Sequence, residues 1–129
     1  AGAVPAPAPL EQRWSCGSTS PMSPARGTRE ELFSWLGIIM YLPEDDASQR
    51  EAITSAFLEY KAACRERLWG RYDCREHWAK IEQGQSKEEA AELRDRLRRQ
   101  YPVAEFNARR AMYDPDDILS NRLVRALFA

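Results

Sequence analysis

The sequence contains few cysteines and almost no histidine, the residues that most often build metal sites and disulfide frameworks. Its three cysteines, Cys16, Cys64 and Cys74, are far apart, and no C-x-x-C pair occurs. Neither a disulfide framework nor a zinc finger is therefore predicted. Cys74 and the single histidine, His77, have a C-x-x-H spacing, but they fall short of the ligand set that a structural zinc site needs. We predict no metal site.

A surplus of one charge and a long apolar run are also lacking. The 19 Lys and Arg residues are balanced by 20 Asp and Glu residues, for a net charge of -1. Because nucleic-acid binding needs a surplus of positive charge, no nucleic-acid partner is expected. The longest apolar run, WLGIIMYL (35–42), is much shorter than the roughly 20 residues that cross a bilayer. The chain starts at Ala1, without a methionine and without a signal or transit pattern. Such a start is expected of a processed protein or of a part of a longer polypeptide.

The first third of the chain has the pattern of an extended segment followed by two strands. Proline recurs through AGAVPAPAP (1–9), which predicts an extended linker. A short strand is expected over 10–14, followed by a surface loop over 15–29 that is rich in Ser, Pro, Gly and Thr. The β-branched and aromatic run 32–43 predicts a buried strand inside a sheet, closed by Pro43.

The middle of the chain predicts two helices separated by an extended segment. Acidic residues from Asp45 onward mark the start of the first helix, and Gly70 is expected to end it in a left-handed conformation. The segment HWAKIE (77–82) is predicted to be a short strand or extended segment. Ser86, with Glu89 three residues later, predicts a capping box at the start of the second helix.

The C-terminal residues predict a third helix over 103–112 and a last helical turn. Asp114 as an N-cap before Pro115 explains DPDD better than a calcium loop does, because the glycine and the distal glutamate of an EF-hand are lacking. Ser120 is expected to cap the last turn. Together these elements predict an α+β fold, a partial antiparallel sheet of about three strands with three to four flanking helices.

The segment EQRW (11–14) carries the arrangement with the clearest chemical meaning. Glu11 and Arg13 are two residues apart, so on a strand their side chains lie on the same face. A carboxylate and a guanidinium on one face can bind a polyhydroxylated ligand. They can equally form a surface ion pair, worth under about 1 kcal/mol. The residues alone leave both interpretations open.

Several longer segments occur together in the order that one enzyme family has. They are APAPLEQRW (6–14), FSWLGIIMYLP (33–43), EHWAKIE (76–82), YPVAEFNARRAMYDPDDILSN (101–121) and the terminal LFA. With these segments the chain resembles the C-terminal portion of the L-galactono-1,4-lactone dehydrogenases, the aldonolactone oxidoreductase branch of the vanillyl-alcohol-oxidase-type flavoenzymes. Many sugar and lactone oxidases share HWAK, whereas EQRW and FNARR…DPDDILSN indicate this branch.

The resemblance implies that residues 1–129 are part of a cap domain plus C-terminal helices, which cover the flavin and shape the substrate pocket of an ascorbate-forming enzyme. FAD is bound in such enzymes by an N-terminal domain, and these 129 residues contain no glycine-rich, phosphate-binding segment. We therefore expect a split or longer enzyme, inactive as this chain alone, with FAD held mainly by a flavin-binding partner chain or a missing N-terminal region. The resemblance also implies an aldonolactone substrate, cytochrome c as electron acceptor, and a mitochondrial location at the inner membrane or in the intermembrane space.

The resemblance further implies roles for two pairs of residues. Glu11 and Arg13 match the EQR segment implicated in lactone binding, which makes them candidate catalytic residues. His77 and Lys80 match HWAK, which resembles the stretch that approaches the flavin, and are candidate cofactor-binding residues. Because side chains three apart diverge on a strand, we expect one of these two to face the flavin and the other to brace the scaffold. The alternative is a structural histidine with a lysine whose stem packs on the surface; Trp78 is expected in the core.

A second hypothesis is structural. Members of the family also associate with the respiratory NADH dehydrogenase complex during its assembly, so a chain without the flavin domain could be a non-catalytic accessory or assembly subunit. The presence of both candidate pairs favours the enzyme, and the lack of the flavin domain favours the accessory subunit. A flavin spectrum that galactonolactone bleaches would support the first hypothesis, and a colourless protein in a large complex would support the second.

Overall fold

The computed structural model describes residues 10–82, 84 and 86–128, so the predicted linker over 1–9 lies outside the described residues. The elements, in order, are β1 (Glu11–Cys16), β2 (Leu32–Gly37), α1 (Ala47–Cys64), a π-helical turn (Arg65–Trp69), a 3-10 turn (Trp78–Lys80), α2 (Lys87–Gln100), α3 (Val103–Tyr113) and α4 (Arg122–Phe128). The predicted α+β class is confirmed. The described residues fall into two compact units: the first contains residues up to Ser18 and Gly27–Arg75, and the second Thr19–Arg26 and the residues from Glu76 onward.

No helix within the described ranges is long and apolar enough to cross a membrane.

The first unit is built on an antiparallel ribbon of β1 and β2. Glu11 pairs with Gly37 at one end and Cys16 with Leu32 at the other. The ribbon confirms both predicted strands, but β2 ends at Gly37 and its residues alternate between exposed and half-buried, so a buried strand reaching residue 43 is wrong. The physical reason is that an apolar run predicts extended backbone and does not specify what covers it. In the described residues the sheet has two strands, and neither is interior.

The loop between the strands depends on a close backbone approach at Gly17. The Gly17 N–H donates to the Glu31 carbonyl at 2.8 Å. A Cβ at this position would lie 2.0 Å from the carbonyl oxygen of Thr28, so a side chain cannot be accommodated without a backbone shift. This contact closes the surface loop that the sequence predicted.

Helix α1 begins where the acidic residues predicted. Asp46 is its N-cap, with the carboxylate accepting a hydrogen bond from the Gln49 N–H at 2.8 Å. The predicted left-handed end at Gly70 is wrong, because Gly70 has φ −66° and continues the right-handed path of the π-helical turn. The left-handed residue is Asp73, with φ 45°, where the chain leaves the helical turns.

The second unit contains a hydrophobic core built by α2, α3 and α4. Its buried members are Ile81, Leu93, Leu97, Tyr101, Val103, Leu127 and Phe128. The capping box of Ser86 and Glu89 is confirmed at the start of α2. The predicted break at Tyr101-Pro102 and the third helix are confirmed as well.

The segment after α3 folds as a turn rather than as the start of a helix. The Asp114 carboxylate accepts hydrogen bonds from the N–H groups of Ile118 and Leu119 at 2.8 and 2.9 Å, and no helix begins at Pro115, so the predicted N-cap role is wrong. Helix α4 is capped by Asn121, whose Oδ1 accepts from the Val124 N–H at 2.9 Å. Ser120 was predicted for this role, but its hydroxyl donates to the carboxylate of Asp117 instead.

Candidate functional site

Glu11 and Arg13 meet on one face of β1. The Arg13 Nε donates to Glu11 Oε1 at 2.7 Å, and Nη2 donates to the same oxygen. The Arg13 side chain is 75% exposed and that of Glu11 43% exposed. The sequence left two interpretations open, a ligand-binding pair and a surface ion pair. In this structure the two side chains form the ion pair. Because exposed pairs contribute at most about 1 kcal/mol, a ligand could replace this one at little cost.

The strand register adds two neighbours that sequence reasoning missed. Trp35 lies opposite Arg13 and Gly37 opposite Glu11, so all of these residues share one face of the ribbon. The Trp35 indole N–H donates to Ser15 Oγ at 2.8 Å, which fixes the ring on this face. A Cβ at Gly37 would be 3.4 Å from Glu11 Oε2, so the glycine leaves space beside the carboxylate.

The HWAK segment folds as a 3-10 turn, and the predicted strand or extended conformation over 77–82 is wrong for Trp78–Lys80. The Lys80 N–H donates to the His77 carbonyl at 2.8 Å, and His77 Nδ1 accepts from the Ala79 N–H at 3.2 Å. An accepting Nδ1 places the proton of the neutral imidazole on Nε2. In 3-10 geometry, residues three apart lie on one side, so the divergence of His77 and Lys80 expected for a strand does not apply.

Two contacts anchor this turn to the second unit. Before the turn, Arg96 Nη2 on α2 donates to Glu76 Oε2 at 2.6 Å, and these side chains are only 17% and 14% exposed. Within it, the Trp78 indole N–H donates to the Met22 carbonyl at 2.7 Å.

The Trp78 ring packs against the core of the second unit. Its centroid lies 4.6 Å from that of Tyr101 and 5.8 Å from that of Phe128. The prediction that Trp78 belongs to the core is therefore confirmed. The exposed side chains of His77 and Lys80 extend from a turn that is held on both flanks.

The candidate residues therefore form two local pairs, one in each unit. Glu11 and Arg13 combine a hydrogen-bond acceptor with fixed cationic donors, beside an aromatic ring. His77 and Lys80 offer an imidazole and an ammonium group on an anchored turn. In the described part of the chain, no group of three or more His, Cys, Asp and Glu side chains could hold a metal ion.

The cysteine thiols are not joined in disulfides. Burial raises the pKa of the Cys74 thiol, and the nearby charges of Asp73 and Cys64 raise it further. Because the thiolate is the nucleophile and the metal ligand, this thiol is poorly suited to either role.

Comparison with known proteins identifies close relatives over nearly the whole chain. A family model described as D-arabinono-1,4-lactone oxidase matches residues 2–127. The chain is 51% identical over 126 residues to L-galactono-1,4-lactone dehydrogenase 1, mitochondrial, of Oryza sativa subsp. japonica. It is 52% identical over 127 residues to the mitochondrial L-galactono-1,4-lactone dehydrogenase of Brassica oleracea, and 50% identical over 127 residues to that of Arabidopsis thaliana.

These matches cover 97% or 98% of the chain but only 21% or 22% of each relative. The chain thus spans about a fifth of the length of the curated relatives that it matches, and it corresponds to their C-terminal part.

Proposed function

The chain belongs to the D-arabinono-1,4-lactone oxidase family, and on that premise we propose that it is the C-terminal part of an FAD-dependent L-galactono-1,4-lactone dehydrogenase. The observation that carries the proposal is an identity of 50% to 52%, over almost all of the chain, to mitochondrial enzymes of that name. The exposed Glu11–Arg13 pair supports it, because this is the arrangement that a polyhydroxylated lactone can bind.

The proposed reaction removes hydride from a hydroxyl-bearing carbon of an aldonolactone, while the hydroxyl loses its proton. Positive charge develops at that carbon, so a nearby carboxylate stabilises the transition state. Arg13 would bind the lactone through its guanidinium donors. Glu11 would accept the hydrogen bond of the reacting hydroxyl and then its proton. Their weak mutual ion pair can be exchanged for contacts to the lactone.

Two exposed side chains of this chain, His77 and Lys80, have the chemistry to contact the edge of the FAD ring. When bound, FAD supplies the acceptor for the hydride. No glycine-rich segment that could cradle the phosphates of the dinucleotide occurs in the sequence, so that part of FAD would be bound outside this chain. His77 and Lys80, exposed on their anchored turn, would contact the ring, and the Lys80 cation would stabilise negative charge there.

The partner in this proposal is a flavin-binding polypeptide, supplied as a separate chain or as a preceding segment. The names of the relatives support a mitochondrial location. Cytochrome c as acceptor, an inner-membrane or intermembrane-space position and contact with the NADH dehydrogenase complex are implied by the resemblance. The comparisons give no support to a non-catalytic accessory role.

The test is to isolate the complex of this chain from its native cell and to mix it anaerobically with L-galactono-1,4-lactone. A flavin absorption band that the lactone bleaches is expected. Arg13→Gln is expected to slow bleaching roughly tenfold to a hundredfold, the effect of losing a charged hydrogen bond. The matched control is Arg109→Gln. It breaks an exposed ion pair on α3, in which Arg109 Nη2 lies 2.8 Å from Glu105 Oε1. A colourless complex, or equal rates for the two variants, would contradict the proposal.

A further inference from the structure

We propose that Trp35 is a further substrate-binding residue, whose indole packs against the C–H groups of the lactone ring, and that Ser15 positions this indole. We call the Trp35 ring the indole platform. The inference rests on the proposed function and adds to it the side chain that recognises the apolar part of the lactone.

The pairing of the two strands places Trp35 beside the proposed lactone-binding pair. Trp35 lies directly opposite Arg13, and the side chains of residues paired in this way are neighbours. Alternate residues of a strand share a face, so Glu11, Arg13 and Ser15 lie on the same face of the ribbon as Trp35. A lactone that is bound to the Arg13 guanidinium is therefore within reach of the indole.

A hydrogen bond fixes the direction in which the indole leans. Its N–H donates to Ser15 Oγ at 2.8 Å, and Ser15 belongs to the next pair along this face of the ribbon. The Arg13 guanidinium turns the other way and bonds to Glu11. The face thus has an aromatic end and a charged end. Because the N–H is already bonded, the indole presents the face of its ring to a ligand.

The second aromatic residue of this face, Phe33, lies farther from the charged pair. It pairs with Ser15, and its ring adjoins the loop between the strands, because a Cβ at Gly27 would lie 3.1 Å from Phe33 Cε2. Among the strand residues on this face, Trp35 is therefore the aromatic side chain that adjoins Arg13.

An aldonolactone has the same division into polar and apolar parts. Its hydroxyl and carbonyl oxygens form hydrogen bonds, and the C–H groups between them form an apolar surface. The face of an indole is electron-rich, which attracts the slightly positive hydrogens of carbons that bear oxygen. With its oxygens at Glu11 and Arg13, the lactone can rest its C–H groups on the indole platform. The opposite side of the lactone ring then stays open to the hydride acceptor.

The test follows flavin bleaching in the complex isolated from its native cell, anaerobically and over a range of L-galactono-1,4-lactone concentrations. The half-saturating concentration reports lactone binding, and the limiting rate reports hydride transfer. Trp35→Leu is expected to raise the half-saturating concentration about threefold to tenfold, because the aromatic contact is lost, and to change the limiting rate less. Trp35→Phe keeps a flat ring and should have a smaller effect.

Ser15 is tested as a positioning residue. Ser15→Ala removes the acceptor of the indole N–H and should raise the half-saturating concentration, whereas Ser15→Thr keeps a hydroxyl and should restore it. When Ser15→Ala is added to Trp35→Leu, no further increase is expected, because the hydroxyl acts through the indole. A hydroxyl that merely stabilised the ribbon would add its own effect.

Trp14→Leu is the matched control. It is the same change in the same ribbon, but Trp14 lies on the opposite face and is 60% exposed. Its half-saturating concentration should equal that of the wild type. The absorption spectrum of the oxidised flavin checks that each variant complex retains its cofactor. If Trp35→Leu yields no complex, Trp35→Phe and Ser15→Ala decide, and wild-type half-saturation in both overturns the proposal.

The remaining outcomes separate this inference from the proposed function. Bleaching of the wild type with an unchanged half-saturating concentration in Trp35→Leu overturns the indole platform alone. Equal increases in Trp35→Leu and Trp14→Leu do the same, as does a fall in the limiting rate without a change in half-saturation. A wild-type complex whose flavin the lactone does not bleach contradicts the proposed function and overturns the indole platform with it.

Discussion

The ionised carboxylate of Asp117 stabilises the fold through its hydrogen bonds. Its carboxylate accepts hydrogen bonds from the Ser120 hydroxyl, from Arg125 Nε at 2.8 Å and from Arg110 Nη2 at 3.4 Å. The Ser120 hydrogen bond, followed by the bond to Arg125, lowers the pKa of Asp117 below its ordinary value. A group with a lowered folded-state pKa stabilises the fold above its unfolded pKa of about 3.9, and this contribution is lost as pH falls through the folded pKa.

Asp117→Asn is therefore expected to lower the free energy of unfolding at neutral pH and to flatten its decline below about pH 4. Asparagine tolerates the left-handed backbone of residue 117, which has φ 53°, so the substitution adds little strain. Urea unfolding across the acid range measures the effect. Asp116→Asn makes the same charge change on an exposed neighbour and is the matched control. Matching slopes in the two variants would contradict the expectation.

The half-buried pair of Glu76 and Arg96 is expected to stabilise the second unit through the segment that carries His77. Arg96→Gln removes the charged donor that lies 2.6 Å from the Glu76 carboxylate, a side chain that is only 14% exposed. A loss of about 1–3 kcal/mol in the free energy of unfolding is expected. The double variant with Glu76→Gln should lose less than the sum of the single variants, because they share one interaction.

The control for this pair is Arg98→Gln. Arg98 and Asp95 also pair on α2, at 3.3 Å, but their side chains are 51% and 61% exposed. A change within about 0.5 kcal/mol is expected there. Additive losses in the double variant at Glu76 and Arg96 would mean that the pair does not act as one unit.

At the scale of elements, α2 owes part of its stability to the capping box at its start. Ser86 Oγ accepts from the Glu89 N–H at 3.1 Å, and Glu89 Oε2 accepts from the Ser86 N–H at 3.4 Å. Ser86→Ala is expected to lower the free energy of unfolding by about 1 kcal/mol. Ser55→Ala is the same chemical change inside α1 and should stabilise slightly, because alanine has the higher helix propensity. Thermal or urea unfolding gives both values, and a loss at residue 55 as large as that at residue 86 would refute the capping argument.

The elements that the sequence predicted well are those fixed by local chemistry. Asp46 and Ser86 start helices because their side chains bond to N–H groups three residues away, which is visible in sequence. Trp78–Lys80 could not be placed in the same way. That turn is held by hydrogen bonds and ring contacts to residues far away in sequence, among them Met22 and Tyr101.

The same distinction holds for the candidate functional residues. The meeting of Glu11 and Arg13 follows from the two-residue period of a strand, and the structure contains their ion pair. Trp35 and Gly37 reach this face only through the pairing of β1 with β2. That pairing depends on a register between distant segments, which a single sequence leaves unspecified.

At the scale of the whole molecule, hydrophobic burial is divided unevenly between the two units. The second unit contains a contiguous cluster of Ile81, Leu93, Leu97, Tyr101, Val103, Leu127 and Phe128. In the described part of the first unit, only Ile53 is a buried hydrophobic residue. Since apolar burial is the main favourable term in folding, the second unit should hold its structure more firmly than the first.

Amide hydrogen exchange of the 129-residue chain on its own is expected to report this difference. The amides of α2 and α3 should exchange slowly, whereas those of β1 and β2 should exchange rapidly, because local opening of the ribbon exposes little buried apolar surface.

Leu97→Ala, at a side chain that is 2% exposed, should lower the free energy of unfolding by about 2–5 kcal/mol and accelerate amide exchange in α2. Equal protection of ribbon and helices in the isolated chain would contradict the expectation that the uneven hydrophobic burial sets the stability of the two units.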